Sequence, residues 1–325
     1  MVLLTGFQAE VLIYTWTSIF ENTMNMNTAE LLTLTVLGLS VLAACGREDA
    51  APAPGDKTIA IRAEIYGMTK VATTGNEAVF ETGDRITLYA WTGSASVIPA
   101  SRVVDGVDNT LGSDGKWTPA TRMLWADMVT PHYFLGIYPA RNVSDPAADS
   151  FMLNPADYEA GDLLVATNLS GLKAQGNPVT LTFDHMMAKM VVNLKFRSQW
   201  DATPSVSGVT AYAKSAATVD YLTKGVTATG DAGAVSIPAA SAPEGYALGF
   251  SGLQVPQKGV RKVTVTIAGK EYIYESAEDI PLASGKITTL GLIVGREALE
   301  LAAVNIADWT AGASLEDGEA AIAEP

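Results

Sequence analysis

The chain has 325 residues, a single cysteine, and 21 basic against 35 acidic side chains, which gives a formal net charge of −14 at neutral pH. Such an acidic chain repels nucleic acid and anionic membrane surfaces, so neither is expected as a partner. One cysteine cannot form an intramolecular disulfide, so packing and hydrogen bonds must stabilise the fold.

The first informative segment is residues 31–44, an uncharged and mostly apolar run of 14 residues that ends at Cys45. This length is typical of the apolar region of a signal peptide and is too short to span a bilayer as a helix. The ending Leu42-Ala43-Ala44-Cys45 resembles the lipobox of bacterial lipoproteins, in which a peptidase cleaves before the cysteine and the thiol then carries diacylglycerol, with palmitate among the expected acyl chains. We therefore predict a signal peptide over residues 1–44 and lipidation of Cys45. The alternative is a buried helix with an unreactive cysteine.

The start of the chain departs from this pattern, because a signal peptide begins with a basic region and the first Lys or Arg is Arg47. We therefore expect the start site to be assigned too far upstream, with Met24 or Met26 as the true beginning. Cleavage before Cys45 would remove three glutamates and no basic residue, leaving 21 basic and 32 acidic side chains and a net charge of −11.

After the cysteine, residues 45–56 are acidic and then rich in alanine and proline, which predicts an extended, lipidated tether. From residue 57 onward, short alternating or β-branched segments are separated by Gly, Asn and Asp turns, a pattern that indicates β-strands. The clearest is 261–274, where a Val–Thr alternation reaches the turn Ala268-Gly269-Lys270 and predicts an antiparallel hairpin. No downstream stretch longer than about ten residues holds a helical period. Met186, Met187 and Met190 are interpreted as core residues in a strand or its entry.

This pattern predicts an all-β protein built from antiparallel β-sandwich domains. The 281 residues that follow the signal peptide suit two sandwiches better than one, and we place them at 57–187 and 188–312, followed by an acidic tail over 313–325. Ile306 and Trp309 are expected to be buried where the second sandwich closes. Because they are three residues apart near a strand end, either a bulge or bend brings both to the core or only one of them is inside.

We find no catalytic motif and predict that the protein is not an enzyme and binds no cofactor or metal. The two histidines, His132 and His185, would both be needed for a zinc site. The acidic segment 105–115 could hold calcium but lacks the loop register of known calcium motifs, so we interpret it as a solvated turn.

Five tryptophans could form a sugar-stacking face, although a sandwich usually buries its aromatic side chains. These tryptophans are Trp91, Trp117, Trp125, Trp200 and Trp309.

Several short phrases occur in an order that resembles the fimbrillin family of Bacteroidales lipoproteins, the subunits of type V pili. They are Thr69-Lys70, Phe80-Glu81-Thr82-Gly83-Asp84-Arg85-Ile86, Gly115-Lys116-Trp117-Thr118-Pro119, Tyr133-Phe134-Leu135-Gly136-Ile137-Tyr138-Pro139, Asp162-Leu163-Leu164-Val165-Ala166, Val179-Thr180-Leu181-Thr182-Phe183-Asp184-His185-Met186-Met187-Ala188-Lys189-Met190 and Val304-Asn305-Ile306-Ala307-Asp308-Trp309-Thr310-Ala311-Gly312. The resemblance covers about residues 57–312.

The resemblance implies two tandem transthyretin-like β-sandwich domains and assembly outside the cell. A trypsin-like protease would remove the first strand, here Thr58–Tyr66, by cutting after Lys70, which stands where the family commonly has arginine. A strand from a neighbouring fimbrillin subunit would then fill the groove. In Thr58–Tyr66 one side is apolar, as such a strand requires.

We therefore predict a structural subunit, or an accessory anchor or tip protein, of a cell-surface pilus. Its lipid would hold it in the outer membrane, and its other partners would be fimbrillin subunits and a host or bacterial surface ligand in cell adhesion. The alternative is a surface lipoprotein that binds glycan or a host ligand without polymerising.

Overall fold

The computed structural model of the protein describes residues 57–66 and 79–309. These residues form β-strands joined by turns, with one single-turn α-helix, α1, at Tyr158–Gly161 and one 3-10 turn at Ala174–Gly176. The all-β prediction is therefore confirmed. The signal peptide, the tether, Cys45, Lys70 and the acidic tail all lie outside the described residues.

Nineteen strands are present in the described residues, and most are five to ten residues long. They are β1 Ile61–Ile65, β2 Arg85–Thr92, β3 Val104–Leu111, β4 Trp117–Pro119, β5 His132–Tyr138, β6 Asp149–Met152, β7 Leu164–Leu172, β8 Val179–His185, β9 Ala188–Phe196, β10 Val206–Ala213, β11 Ala216–Asp220, β12 Gly225–Thr229, β13 Gly233–Ser236, β14 Ala239–Ala240, β15 Leu248–Gln254, β16 Lys262–Ile267, β17 Lys270–Glu275, β18 Lys286–Val294 and β19 Leu299–Asp308.

The earlier strands form a seven-stranded sheet in the order β1-β8-β7-β5-β2-β3-β4. The β2–β3, β2–β5, β3–β4, β5–β7 and β7–β8 pairs are antiparallel, whereas β1 runs parallel to β8 at one edge. Successive side chains of a strand point to opposite faces, and this sheet buries both. In β2, Ile86, Leu88 and Ala90 enter one apolar cluster, while Tyr89 and Trp91 enter another.

The remaining strands form three smaller sheets. Five strands pair in the order β14-β15-β9-β18-β19, four in the order β13-β10-β16-β17, and three in the order β12-β11-β6. The predicted hairpin is confirmed as β16–β17, and its turn residues Ala268 and Gly269 both have positive φ, as a tight two-residue hairpin turn requires. In the five-stranded sheet the β9–β18 pair is parallel, so this sheet, like the seven-stranded sheet, is not purely antiparallel.

The proposed boundary at residue 187 falls between β8 and β9. Two features connect the chain on either side of it. Strand β6 from the earlier part pairs with β11 from the later part. The larger apolar cluster also joins residues of both parts, from Tyr89 to Leu299. The division into tandem domains at 57–187 and 188–312 therefore stays a prediction.

Met186 and Met187 are buried between β8 and β9, and Met190 is buried in β9, as predicted for core residues in a strand or its entry. Of the two residues discussed for the last strand, only Trp309 packs against the core. Ile306 is 49% exposed, because β19 is an edge strand with β18 as its hydrogen-bonded neighbour. Trp309 is partly buried and packs against the larger cluster.

Candidate functional site: the first strand and its edge of the sheet

Strand β1 lies at the edge of the seven-stranded sheet, and within the described ranges it pairs with β8 alone. The register places Ile61 opposite Val179 and Ile65 opposite Phe183. Ile59, Ile61 and Ile65 are buried, whereas the Glu64 side chain between them points to solvent. The alternation seen in the sequence therefore makes one apolar face that covers the sheet.

The ends of this segment are held by backbone hydrogen bonds to two other parts of the chain. Ile59 N donates to Met123 O at 2.9 Å and Trp125 N donates to Lys57 O at 2.8 Å, so the entry to β1 runs beside residues 123–125. At the other end, Tyr66 N donates to Phe183 O at 2.7 Å. The segment from Lys57 to Tyr66 is thus hydrogen-bonded along its length to residues 123–125 and to β8.

Asn177 is the side chain that sequence reasoning missed at this site. Its Oδ1 accepts from Ala60 N at 2.9 Å, and its Nδ2 donates to Thr58 O at 3.0 Å. The amide therefore replaces one rung of the ladder just before β8 begins. The sequence indicated only a turn at Gly176-Asn177-Pro178, because nothing in the local pattern says that a strand 117 residues earlier lies beside it.

Beneath β1 lies an apolar cluster that includes Met123, Trp125, Phe134, Leu181 and Phe183. Full burial of an isoleucine side chain is worth about 1.5–3 kcal/mol, so the three isoleucines of this segment contribute substantially to the stability of this part of the fold. Loss of β1 would expose these apolar side chains together with the unpaired backbone edge of β8. Such an edge is a template for another strand.

The described residues resume at Val79, and the aromatic ring of Phe80 packs there against three other aromatic rings. Its ring makes edge-on contacts with Trp117, Tyr138 and Phe183, at centroid separations of 5.2, 5.4 and 5.3 Å. The Tyr138 hydroxyl also donates to Asp84 Oδ1 at 3.3 Å. Burial and the nearby Asp84 carboxylate raise the pKa of the Tyr138 hydroxyl, which therefore stays protonated. The Phe80 ring is thus held by three ring contacts to residues outside β1.

The histidines do not come together. His132 pairs with Leu172 and His185 pairs with Leu164, at opposite ends of β7 and roughly 26 Å apart along a strand. The His132 ring bonds Ala126 N at 3.1 Å and Thr130 O at 2.8 Å, and His185 Nδ1 bonds Asp162 Oδ1 at 2.8 Å. Each ring therefore has a local structural partner.

The acidic segment 105–115 is a strand and turn rather than a calcium loop. Asp105 pairs with Arg102, Asp108 pairs with Arg85, and Asp114 accepts from Lys116 N at 3.1 Å. Residues 57–66 and 79–309 contain no group of three or more His, Cys, Asp or Glu side chains placed to hold a metal ion. In the same ranges, no helix is long and apolar enough to cross a membrane.

The five tryptophans do not form an exposed face. Trp91 and Trp125 are fully buried, and Trp117, Trp200 and Trp309 are partly buried against the two apolar clusters. They serve packing, as sandwich aromatics usually do. The two predicted modification residues, Cys45 and Lys70, lie outside the described residues, so Lys70 is bracketed by the described residues Tyr66 and Val79.

Comparison with known proteins places the chain in a family. A family model described as fimbrillin-like matches residues 69–309. A crystal structure of a candidate cell adhesion protein from Bacteroides ovatus is similar, with a TM-score of 0.61 and 18% identity over 80% of this chain and 99% of the other. A second such protein, from Bacteroides uniformis, gives a TM-score of 0.60 and 18% identity over 78% and 100% of the two chains. No curated protein sequence matches the chain. The chain therefore belongs to the fimbrillin-like family.

Proposed function

We propose that the protein is a structural subunit, or an accessory anchor or tip protein, of a cell-surface pilus, and that it joins other fimbrillin subunits by strand exchange. The observation that carries the proposal is the position of β1. It is an edge strand with one hydrogen-bonded neighbour in the described residues, and it buries alternate isoleucines over an apolar cluster. A strand with these properties is the kind that another chain can replace.

Export and anchoring precede this exchange in the proposed sequence of events. The signal peptide directs export of the precursor, and Cys45 then receives lipid. The lipid holds the protein at the outer membrane. Cleavage after Lys70 by a protease of Arg or Lys specificity then separates β1 from the remainder. Phe80 and the residues after it keep their own contacts, so the cut frees one strand and leaves the sheet in place.

The incoming strand must meet the demands that β1 now satisfies. Side chains at alternate positions have to fill the spaces of Ile59, Ile61 and Ile65, and the backbone has to pair with Val179 to Phe183. The incoming backbone must also take the place of Ala60 N and Thr58 O beside the Asn177 amide. A strand of a second fimbrillin subunit with one apolar side satisfies these conditions, because exchange then restores the same ladder and the same burial.

Limited proteolysis with trypsin of the full chain, extracted in mild detergent, tests the proposal. We expect a new N-terminus at Val71 and heat-resistant ladders on gels. The variant Lys70→Gln should abolish both, whereas the matched control Lys57→Gln, on the other side of β1, should leave both unchanged. A chain that resists cleavage throughout 67–79 and stays monomeric would contradict strand exchange by this protein and favour the anchor or the non-polymerising binding lipoprotein.

A further inference from the structure

A polar cleft of about 650 Å³ opens beside the start of β3, between this strand and the segment 142–144. It is lined by Arg102, Asp105 and Asp108 on one side and by Asn142 and Ser144 on the other. In the sheet order, four strands separate β3 from β1. Exchange of β1 would therefore leave the cleft intact.

The base of the cleft is rigid. Val143 N donates to the hydroxyl of Tyr89 at 3.1 Å, which ties the segment 142–144 to β2. Gly106 has a φ of +67°, and a methyl group there would lie 3.3 Å from the Tyr89 hydroxyl. Glycine is needed at this position both for its backbone conformation and for the close approach to Tyr89. Burial raises the pKa of the Tyr89 hydroxyl, so it stays a neutral donor and acceptor.

A second pair of hydrogen bonds connects the two walls of the cleft. The Thr87 hydroxyl donates to Asp108 Oδ1 at 2.6 Å and accepts from Arg141 N at 2.9 Å. The carboxylate of Asp108 on β3 is thereby linked through β2 to the backbone that leads into Asn142. The walls of the cleft are preformed, and a ligand would pay little free energy for ordering them.

The charges around the cleft cancel in pairs. Arg102 forms an ion pair with Asp105, and Arg85 forms one with Asp108 at 2.5 Å. The side chain of Arg102 is nine-tenths buried, and its guanidinium lies 5.3 Å from the centre of the Tyr89 ring. Its Nε is buried and makes no hydrogen bond to any described residue. Paired charges favour neither a cation nor an anion, but the residues that carry these N–H donors and carboxylate acceptors line one small volume.

We propose that this cleft binds a neutral saccharide of one or two units. Hydroxyl groups both donate and accept hydrogen bonds, so a sugar can donate to the Asp105 and Asp108 carboxylates and accept from the Asn142 amide and the Arg102 guanidinium. A volume of this size lies within the ~300–1,000 Å³ usual for small-molecule sites. The site is independent of strand exchange and would serve a polymerising or a non-polymerising surface protein.

The test uses the full chain and saturation-transfer NMR with neutral sugars, namely galactose, lactose, maltose and cellobiose, and with glucuronic acid and glucosamine as charged counterparts. An array with separate arms of neutral mammalian-type and neutral plant and bacterial oligosaccharides distinguishes the sources. The double variant Asn142→Ala with Ser144→Ala removes two polar groups that are exposed in the cleft. Ser205→Ala, an exposed serine far along the chain, is the matched control.

We expect saturable binding of at least one neutral sugar, a tenfold or greater loss of affinity in the double variant, and no change in Ser205→Ala. Equal thermal unfolding of the three proteins would show that the loss is local. Binding of neutral oligosaccharides in either array arm supports the proposal. Binding of charged sugars alone, binding that the double variant does not weaken, or no binding of any neutral sugar would overturn it.

Discussion

The indole of Trp309 stacks on the imidazole of His185, with ring centroids 3.8 Å apart and an interplanar angle of 7°. Asp162 holds the imidazole from its edge through a 2.8 Å hydrogen bond to Nδ1. Trp309 N also donates to Gly285 O at 2.8 Å. These contacts fix the end of β19 to the end of β8. Strand β8 is also the strand that pairs with β1.

Trp309→Ala should lower the free energy of unfolding by about 2 kcal/mol. This is less than the ~3–5 kcal/mol of a fully buried tryptophan, because the ring is only partly buried. Urea denaturation measures the loss. The control is Ile306→Ala on the same strand, where the half-exposed side chain should cost less than about 1 kcal/mol. Equal losses in the two variants would show that the stack contributes nothing beyond general burial.

A disulfide that fixes β1 to β8 should block assembly. Glu64 and Thr182 are register partners with exposed side chains, so Glu64→Cys combined with Thr182→Cys places two thiols side by side across the pair. We expect the oxidised protein to be cleaved at Lys70 but to form no ladders, and a reducing agent to restore them. The single variant Glu64→Cys should assemble normally. Ladders from the locked protein would mean that assembly does not require departure of β1.

Cys45→Ser should produce an unlipidated precursor, because this thiol is the sole acceptor in the sequence. Each buried CH₂ of an acyl chain contributes ~0.8 kcal/mol to membrane binding, so the variant should move from the detergent phase to the aqueous phase. Ser40→Ala, within the same apolar run, serves as the control. If the serine variant partitions like the parent chain, the lipobox prediction is wrong.

The carboxyl group of Asp127 should titrate with a midpoint of about 2. Its carboxylate accepts from the Thr130 hydroxyl and from Thr130 N and Val129 N at 2.6, 2.6 and 2.8 Å, and these bonds lower its pKa to about 2. A folded-state pKa below the unfolded value means that the carboxylate stabilises the fold above about pH 4 and that this contribution is lost as the pH falls toward 2. Carbon-detected NMR would measure the midpoint.

The variant Asp127→Asn should remove this part of the acid dependence of the melting temperature. A carboxyl midpoint near 4 in the folded chain would contradict the hydrogen-bond geometry of this turn.

Gly249→Ala should destabilise the protein by about 1–3 kcal/mol, the cost of overpacking. The added carbon would lie 2.5 Å from Ser241 O and 2.9 Å from Ala242 Cα, and backbone atoms cannot move aside cheaply. Gly208→Ala is the matched strand variant, because nothing lies within 4 Å of its added carbon. It should be neutral or stabilising by up to about 1 kcal/mol. Thermal and urea unfolding of the pair test the close approach of the segment 241–242 to β15.

Local pattern was sufficient for the elements whose signal lies within a few residues. The Val–Thr alternation and the Ala268-Gly269 turn predicted the β16–β17 hairpin, and the isoleucine alternation predicted which side of β1 is buried. Pattern did not decide between Ile306 and Trp309, and Ile306, an apolar side chain on an edge strand, remains half exposed. The local pattern at 105–115 indicated a polar turn but did not show that the segment begins as a strand or that Asp108 pairs with Arg85 on β2.

The sequence by itself determined the all-β class and the membership of the fimbrillin-like family, because strand period and turn residues are local and the family phrases keep their order along the chain. Tertiary structure alone decided that β1 runs parallel to β8, that Asn177 pairs with its backbone, and that Arg102, Asp108 and Asn142 surround one cleft. These relationships join residues dozens of positions apart. Strand pairing depends on which arrangement buries the apolar faces of a sheet. A short stretch of sequence does not specify which distant strand will pack against it.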